Sequence, residues 1–145
     1  MNSSCILIVS LQPIPWQSID FSLRLPQGWR QTISEGDQQW IGRSLFSSKK
    51  GKLSEKLTLW WYPPPYQLPT GKPSPEAYHL LLWMPRRIWQ VDFRCPRCTT
   101  SPSLRSKGIY NHVRLVMDNK DFYYLAGESM ECRVCKGNFL SWDSR

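Results

Sequence analysis

Two Cys-x-x-Cys pairs, Cys95-Pro-Arg-Cys98 and Cys132-Arg-Val-Cys135, are the residues of this chain whose type and spacing point most directly to chemistry. Two intervening residues let one short turn aim both sulfurs at the same point. A second pair brought alongside completes a tetrahedron of thiolates, the donor set of a structural zinc site with Zn–S bonds of about 2.3 Å. A Zn2+ ion held by Cys95, Cys98, Cys132 and Cys135 offers no open position to water, which argues against metal-assisted hydrolysis. Such a centre is negatively charged. Arg94, Arg97, Arg133 and Lys136 flank or interleave the ligands, offset that charge and favour the thiolate forms. Gly137, two residues past Cys135, is expected to take the left-handed conformation that closes the second knuckle, whereas Thr99 and Thr100 follow the first pair.

Other chemistries fit less well. A thioredoxin-like motif uses one Cys-x-x-Cys at a strand-to-helix junction, and here there are two pairs in a region that reads as hairpins. The closely spaced triple of many iron–sulfur sites is missing. His112 stands alone between the pairs, with four sulfurs already at hand. There is no Gly-x-Ser-x-Gly elbow and no Walker-type loop, and two histidines without spaced acidic partners make a poor general-base set. Asp118, Asp121, Glu128 and Glu131 read as solvated turn and strand-edge positions rather than ligands of a hard cation. The chain is therefore expected to bind rather than to catalyse.

The elements that must position the cysteines come next. Trp89, Val91 and Phe93 alternate with Gln90, Asp92 and Arg94, a period-two pattern that predicts a strand running into the first pair. Thr99–Ser103 is a turn-rich loop. Val113, Leu115 and Met117 alternate toward the turn Asp118-Asn-Lys-Asp121, and Phe122-Tyr-Tyr-Leu125 returns as the second arm of a hairpin. Glu131 leads into the second pair, and Phe139–Trp142 follows as a further strand. Upstream, Asp37 is expected to cap a helix that places Trp40, Ile41, Ser44 and Leu45 on one face. The lysines of Ser47–Lys52 read as a solvated loop. Leu57–Trp61 predicts a short strand, and Pro63-Pro64-Pro65 an extended polyproline segment whose neighbouring aromatics pack on the core in preference to recruiting an SH3 or WW domain. Ser74-Pro75-Glu76 looks like a helix start, predicting a helix through Ala77 to about Trp83 that stops at Pro85 and carries His79 in a structural role.

The expected fold is α+β: a small zinc-ribbon-like antiparallel β module over about 88–145, with an irregular Trp/Pro-rich N-terminal half carrying short helices. Residues 1–22 read as a leader and 23–145 as a single domain. Cys5 lies in the apolar stretch Cys5–Val9, which lacks a basic flank and a cleavage pattern and is too short to span a membrane. Four of five cysteines in metal-type spacing favour a reducing, intracellular compartment. A net charge of +8 points either to an anionic partner such as nucleic acid or to a solvated basic surface.

Several blocks then fall in a familiar order. They are Gly28-Trp29-Arg30, Asp37-Gln-Gln-Trp-Ile41, Trp60-Trp-Tyr-Pro-Pro64, Leu82-Trp-Met-Pro-Arg-Arg-Ile-Trp89, Gly108-Ile-Tyr110, Val116-Met-Asp118, Tyr123-Tyr-Leu125, Ser141-Trp142 and both cysteine pairs. Over about 24–145 they resemble a domain-of-unknown-function family of uncharacterised animal proteins, often placed before a transposase-like RNase H-fold region. In such relatives the first pair often has additional residues between its cysteines. The resemblance implies a zinc-binding domain of mobile-element origin that acts in the nucleus. It brings no activity and no catalytic residue.

Two functions follow from these readings. In the first, zinc is a scaffold and Arg86, Arg87, Arg94, Arg97, Arg105, Lys107 and Arg114 contact the phosphates of DNA or RNA, with Trp or Tyr stacking on bases. In the second, the chain is a zinc-stabilised adaptor that holds a transposase-like or other protein partner through its aromatic, Pro-rich face, without nucleic-acid contact. Basic residues outnumber acidic ones, which favours the first.

Overall fold

Asp121–Cys132 forms one twelve-residue strand against which almost every other strand pairs. The computed structural model describes residues 20–46, 51–64 and 78–143. In chain order the elements are helix α1 (Glu35–Leu45), strands β1 (Trp60–Trp61) and β2 (His79–Trp83), the helical turn α2 (Pro85–Ile88), and strands β3 (Leu104–Ile109), β4 (Arg114–Asp118), β5 (Asp121–Cys132) and β6 (Asn138–Leu140). Two 3-10 turns, Phe21–Arg24 and Gln27–Gln31, precede α1. The fold is α+β with a mixed six-stranded sheet. β3 and β4 follow one another along one side of β5, both antiparallel to it, while β2 and β6 take the other side. The cysteine-bearing end is antiparallel, as expected. The β2–β5 pair is parallel, from His79↔Tyr123 to Trp83↔Gly127, and makes the sheet mixed.

Period-two alternation decides what β5 buries. Tyr124, Ala126, Glu128, Met130 and Cys132 are all buried, and they connect two separate cores. The larger core sets Trp29, Ile33, Trp40, Ile41 and Leu45 against Leu80, Leu82, Tyr124 and Ala126. The smaller one is Cys95, Leu104, Met130, Cys132 and Phe139. Between them Ser141 ties three strands: its hydroxyl donates to the Trp83 carbonyl at 2.7 Å and accepts from the Glu128 N–H at 2.9 Å.

Helix α1 is capped by Ser34, whose hydroxyl accepts from the Asp37 N–H. Asp37, the expected cap, instead sits in the first turn and turns inward. Its Oδ1 accepts from Trp40 Nε1 at 2.7 Å, and its Oδ2 accepts from the Tyr124 hydroxyl at 2.9 Å and the Tyr78 N–H at 3.3 Å. One carboxylate thus joins the helix to β5 and to the entry of β2, and buried polar groups demand this kind of pairing. Gly42 lets the helix press on the preceding turn, since a Cβ there would lie 2.2 Å from the Phe21 carbonyl oxygen.

Two expected elements are corrected. Residues 79–83 form a strand, not the end of a helix; the Ser74–Ala77 start signal lies outside the described residues. The Leu80-Leu81-Leu82 run is held between β1 and β5, and that pairing overrides the local helical pattern. Pro85 starts a helical turn rather than ending one, at a position where its missing N–H costs nothing. Among the described residues, the period-two segment 89–93 has no partner strand. Gln90 has a left-handed φ of 55°, Trp89 and Val91 are exposed, and the only pairing is the isolated bridge Arg94↔Ser103. The expected strand at Leu57–Trp61 reduces to β1, and the 118–121 hairpin forms as expected. β3 went unrecognised because its polar sequence Arg-Ser-Lys-Gly carries no alternation. Among the described residues no helix is long and apolar enough to cross a membrane.

Candidate metal centre

The end of β5 delivers the second cysteine pair, and the loop before β3 carries the first. Cys132 is the last residue of β5 and pairs in register with Leu104, which follows the first knuckle by two residues beyond Pro102. The first knuckle is closed by the Cys95 N–H donating to the Pro102 carbonyl at 2.9 Å, the second by the Cys132 N–H donating to the Gly137 carbonyl at 3.0 Å. The four sulfurs all lie within 4.8 Å of one another. Cys95 Sγ is 3.6 Å from Cys135 Sγ, and Cys98 Sγ is 3.8 Å from Cys132 Sγ. A tetrahedron with metal–sulfur bonds of about 2.3 Å has edges of about 3.8 Å, so the donor set fits a single metal ion. None of the four is in a disulfide.

The left-handed residue of the second knuckle is Lys136, with φ 58°, and not Gly137. Gly137 is needed for space instead: a Cβ would crowd Arg97 and the Phe139 ring at 3.2 Å. The Arg97 guanidinium stands over that ring, 5.3 Å from its centre. Backbone N–H groups of Cys135 and Val134 point at the Cys132 sulfur and bring its thiol down to about 7. Burial, then the three neighbouring sulfurs, push Cys98 up to about 12. Four anionic sulfurs cannot coexist here without a cation among them.

The seven basic residues expected to face phosphate are mostly held by the fold. The Arg87 Nε donates to Glu128 Oε1 at 3.0 Å, and its Nη2 to Ser106 Oγ at 3.1 Å. Arg94 pairs with Asp92 at 3.3 Å, and Arg105 pairs with Glu131. Lys107 donates to Asn138 Oδ1 at 3.2 Å, and Arg114 lies 5.1 Å from the Trp142 ring centre. Arg97 caps Phe139, and Arg86 is half-buried on α2. They are spread over α2, β3, β4 and the first knuckle.

Glu128 corrects the reading of the acids as solvated. It is fully buried, accepts from Arg87 and the Ser106 hydroxyl through Oε1, and leaves Oε2 without a partner. Its place in the alternation of Tyr124, Ala126 and Met130 was the available signal. Asp118 and Asp121 are exposed, as expected. His112 lies away from the sulfurs, its ring against Tyr110, and His79 stands in β2 among aromatic rings.

Comparison with known families then places this architecture. The chain belongs to the Domain of unknown function family DUF6729. The family's model matches residues 29–145, from Trp29 of the larger core through both cysteine pairs. Neither a curated protein nor a solved structure matches the chain. Membership brings the DUF6729 domain no activity, so its chemistry rests on the sulfur cluster and the surfaces around it.

Proposed function

We propose that this DUF6729 domain is a structural zinc-binding module that works by binding, with nucleic acid as its ligand. The observation that carries the metal is the sulfur geometry: four thiols from two knuckles, with separations that match a zinc–thiolate tetrahedron. Cys95, Cys98, Cys132 and Cys135 would hold the ion, which would lock the two knuckles and leave no coordination position for a substrate. The module is not an enzyme in this reading. Zinc suits four thiolates in a reducing, nuclear setting, which the mobile-element resemblance also implies.

Nucleic acid is favoured by net charge and by the placement of exposed Arg94, Arg97, Arg105 and Lys107 around the knuckles and β3. Surface ion pairs such as Arg94–Asp92 are weak and exchange readily for phosphate contacts. The test is metal content after purification under reducing conditions without added metal, followed by DNA and RNA binding across a salt series. One zinc per chain is expected, with affinity that falls steeply with salt. Arg94→Ala with Lys107→Ala should flatten that slope by about two. A chain free of metal, or affinity indifferent to salt, would overturn the respective half of the proposal.

The adaptor reading has its own supporting observation. Arg87, Arg94 and Arg105 already have carboxylate partners, while Trp60 and Tyr62 are exposed on the sheet. Under it, partner binding is insensitive to salt and is lost on Trp→Ala substitution.

A further inference from the structure

The face of the sheet turned away from the larger core carries a cluster of rings that neither the metal centre nor the basic residues explain. Register places them there. Trp60 pairs with Leu81, and His79 with Tyr123, so Trp60, His79 and Tyr123 share one face with Tyr62 beyond them. The Trp60 and Tyr123 rings meet almost edge-on, 5.4 Å between centres and 72° between planes. His79 is stacked between Tyr123 and Tyr62, at 5.7 Å from each. Together Trp60, His79 and Tyr123 form walls of a cleft of about 320 Å³, closed at its far end by the β4–β5 turn with Asp118, Lys120 and Asp121.

We propose that this cleft is a recognition site for a methylated ammonium group, carried on a lysine side chain of a partner peptide. Aromatic faces attract a cation through their negative quadrupole, and three aromatic residues, Trp60, His79 and Tyr123, line this one cleft. Asp118 and Asp121 stand directly opposite one another in the hairpin register, an arrangement that is unfavourable for like charges unless a cation joins them. Among the described residues neither carboxylate is in an ion pair. Lys120 in the same turn balances only one of the two charges. On a chain of net charge +8, this is a local place where a cation is drawn in and not repelled.

Methylation is favoured because ring faces hold a large, weakly hydrated cation better than the compact, strongly hydrated ammonium of a plain lysine. A methylated one has fewer N–H groups to satisfy and more apolar surface to bury. A tethered side chain suits the site better than a free metabolite. Tyr62 is 67% exposed and Trp60 37%, whereas metabolite sites enclose most of their ligand. These exposures also set the cluster apart from a core, in which rings of this size are buried. The proposal stands independently of the metal centre, and its failure leaves the zinc reading intact.

The test is NMR titration of the full-length, isotope-labelled chain with four probes. They are a short peptide bearing trimethyl-lysine, the same peptide with lysine, the same peptide with the uncharged tert-butyl isostere, and free tetramethylammonium. Expected are upfield-shifted N-methyl protons, shifts at the Trp60 indole and the His79 and Tyr123 rings, and at least tenfold tighter binding of the trimethyl-lysine peptide than of the lysine peptide. Trp60→Ala should weaken binding about tenfold, and Asp118→Asn with Asp121→Asn about threefold. The conservative Trp60→Phe variant should retain part of the affinity, which separates loss of a ring face from loss of fold. Equal binding of the uncharged isostere would overturn cation recognition. Shifts that bypass Trp60 and Tyr123 would overturn the site. Tetramethylammonium binding as tightly as the trimethyl-lysine peptide would overturn the lysine side chain as its source.

Discussion

Replacing Arg87 by methionine should cost this domain about 3 kcal/mol of stability, although a basic residue on a short helical turn looks dispensable. Its Nε donates to Glu128 Oε1 at 3.0 Å, and Glu128 is fully buried with Oε2 lacking any partner. Among the described residues, the one other group on that carboxylate is the Ser106 hydroxyl. Breaking one side of a buried ion pair costs about 3–5 kcal/mol because the remaining charge stays in a poor solvent. Arg87 itself is 35% exposed, so water reaches part of the pair and the lower end applies. With a urea slope of about 2 kcal/mol/M, the unfolding midpoint should fall by about 1.5 M. Glu128→Met in the Arg87→Met background should recover most of the loss, since an apolar pair in that space removes the stranded charge. Arg86→Ala should stay within about 0.5 kcal/mol of the parent. An Arg87→Met midpoint close to the parent's, or a double variant no better than the single, would refute the reasoning. The result also governs the nucleic-acid test: neutralising Arg86 and Arg87 together would change stability as well as charge.

Two further outcomes are expected. Chelation of the metal under reducing conditions should expose amides of the knuckles, β3 and β6 to hydrogen exchange and leave the Trp29–Tyr124 core protected, because Leu104, Met130 and Phe139 form a cluster too small to persist alone. Readdition of zinc should reverse the change, and simultaneous loss of both cores would refute it. The second concerns Tyr124, whose phenol is pushed up to about 12, chiefly by burial and then by its hydrogen bond to Asp37. A folded-state value above the unfolded one of about 10 means that this stabilisation is complete below pH 10 and is lost as pH rises toward about 12. Denaturation midpoints measured across that window should decline, and Tyr124→Phe should remove that component of the decline.

The clustering of the four cysteines was legible in the sequence because its signal is local: two residues between sulfurs define each knuckle whatever the rest of the chain does. The hairpin around Asp118–Asp121 was legible for the same reason, as a turn between two strand-forming runs. Local signals failed where a partner strand decided the outcome. Leu80–Leu82 became a strand because β5 and β1 supply the hydrogen bonds on both sides. Trp89–Phe93 stayed irregular because among the described residues no strand pairs along it, despite a clear alternation. The charges of Arg87 and Glu128 carry no mark of their pairing, since it depends on a turn and a strand brought together across forty residues of chain. The sequence by itself therefore determined the donor set and the α+β class. Only the tertiary structure decided which cations are held inward, which carboxylate is buried, and which rings face solvent, because those properties belong to pairs of elements and not to any one of them.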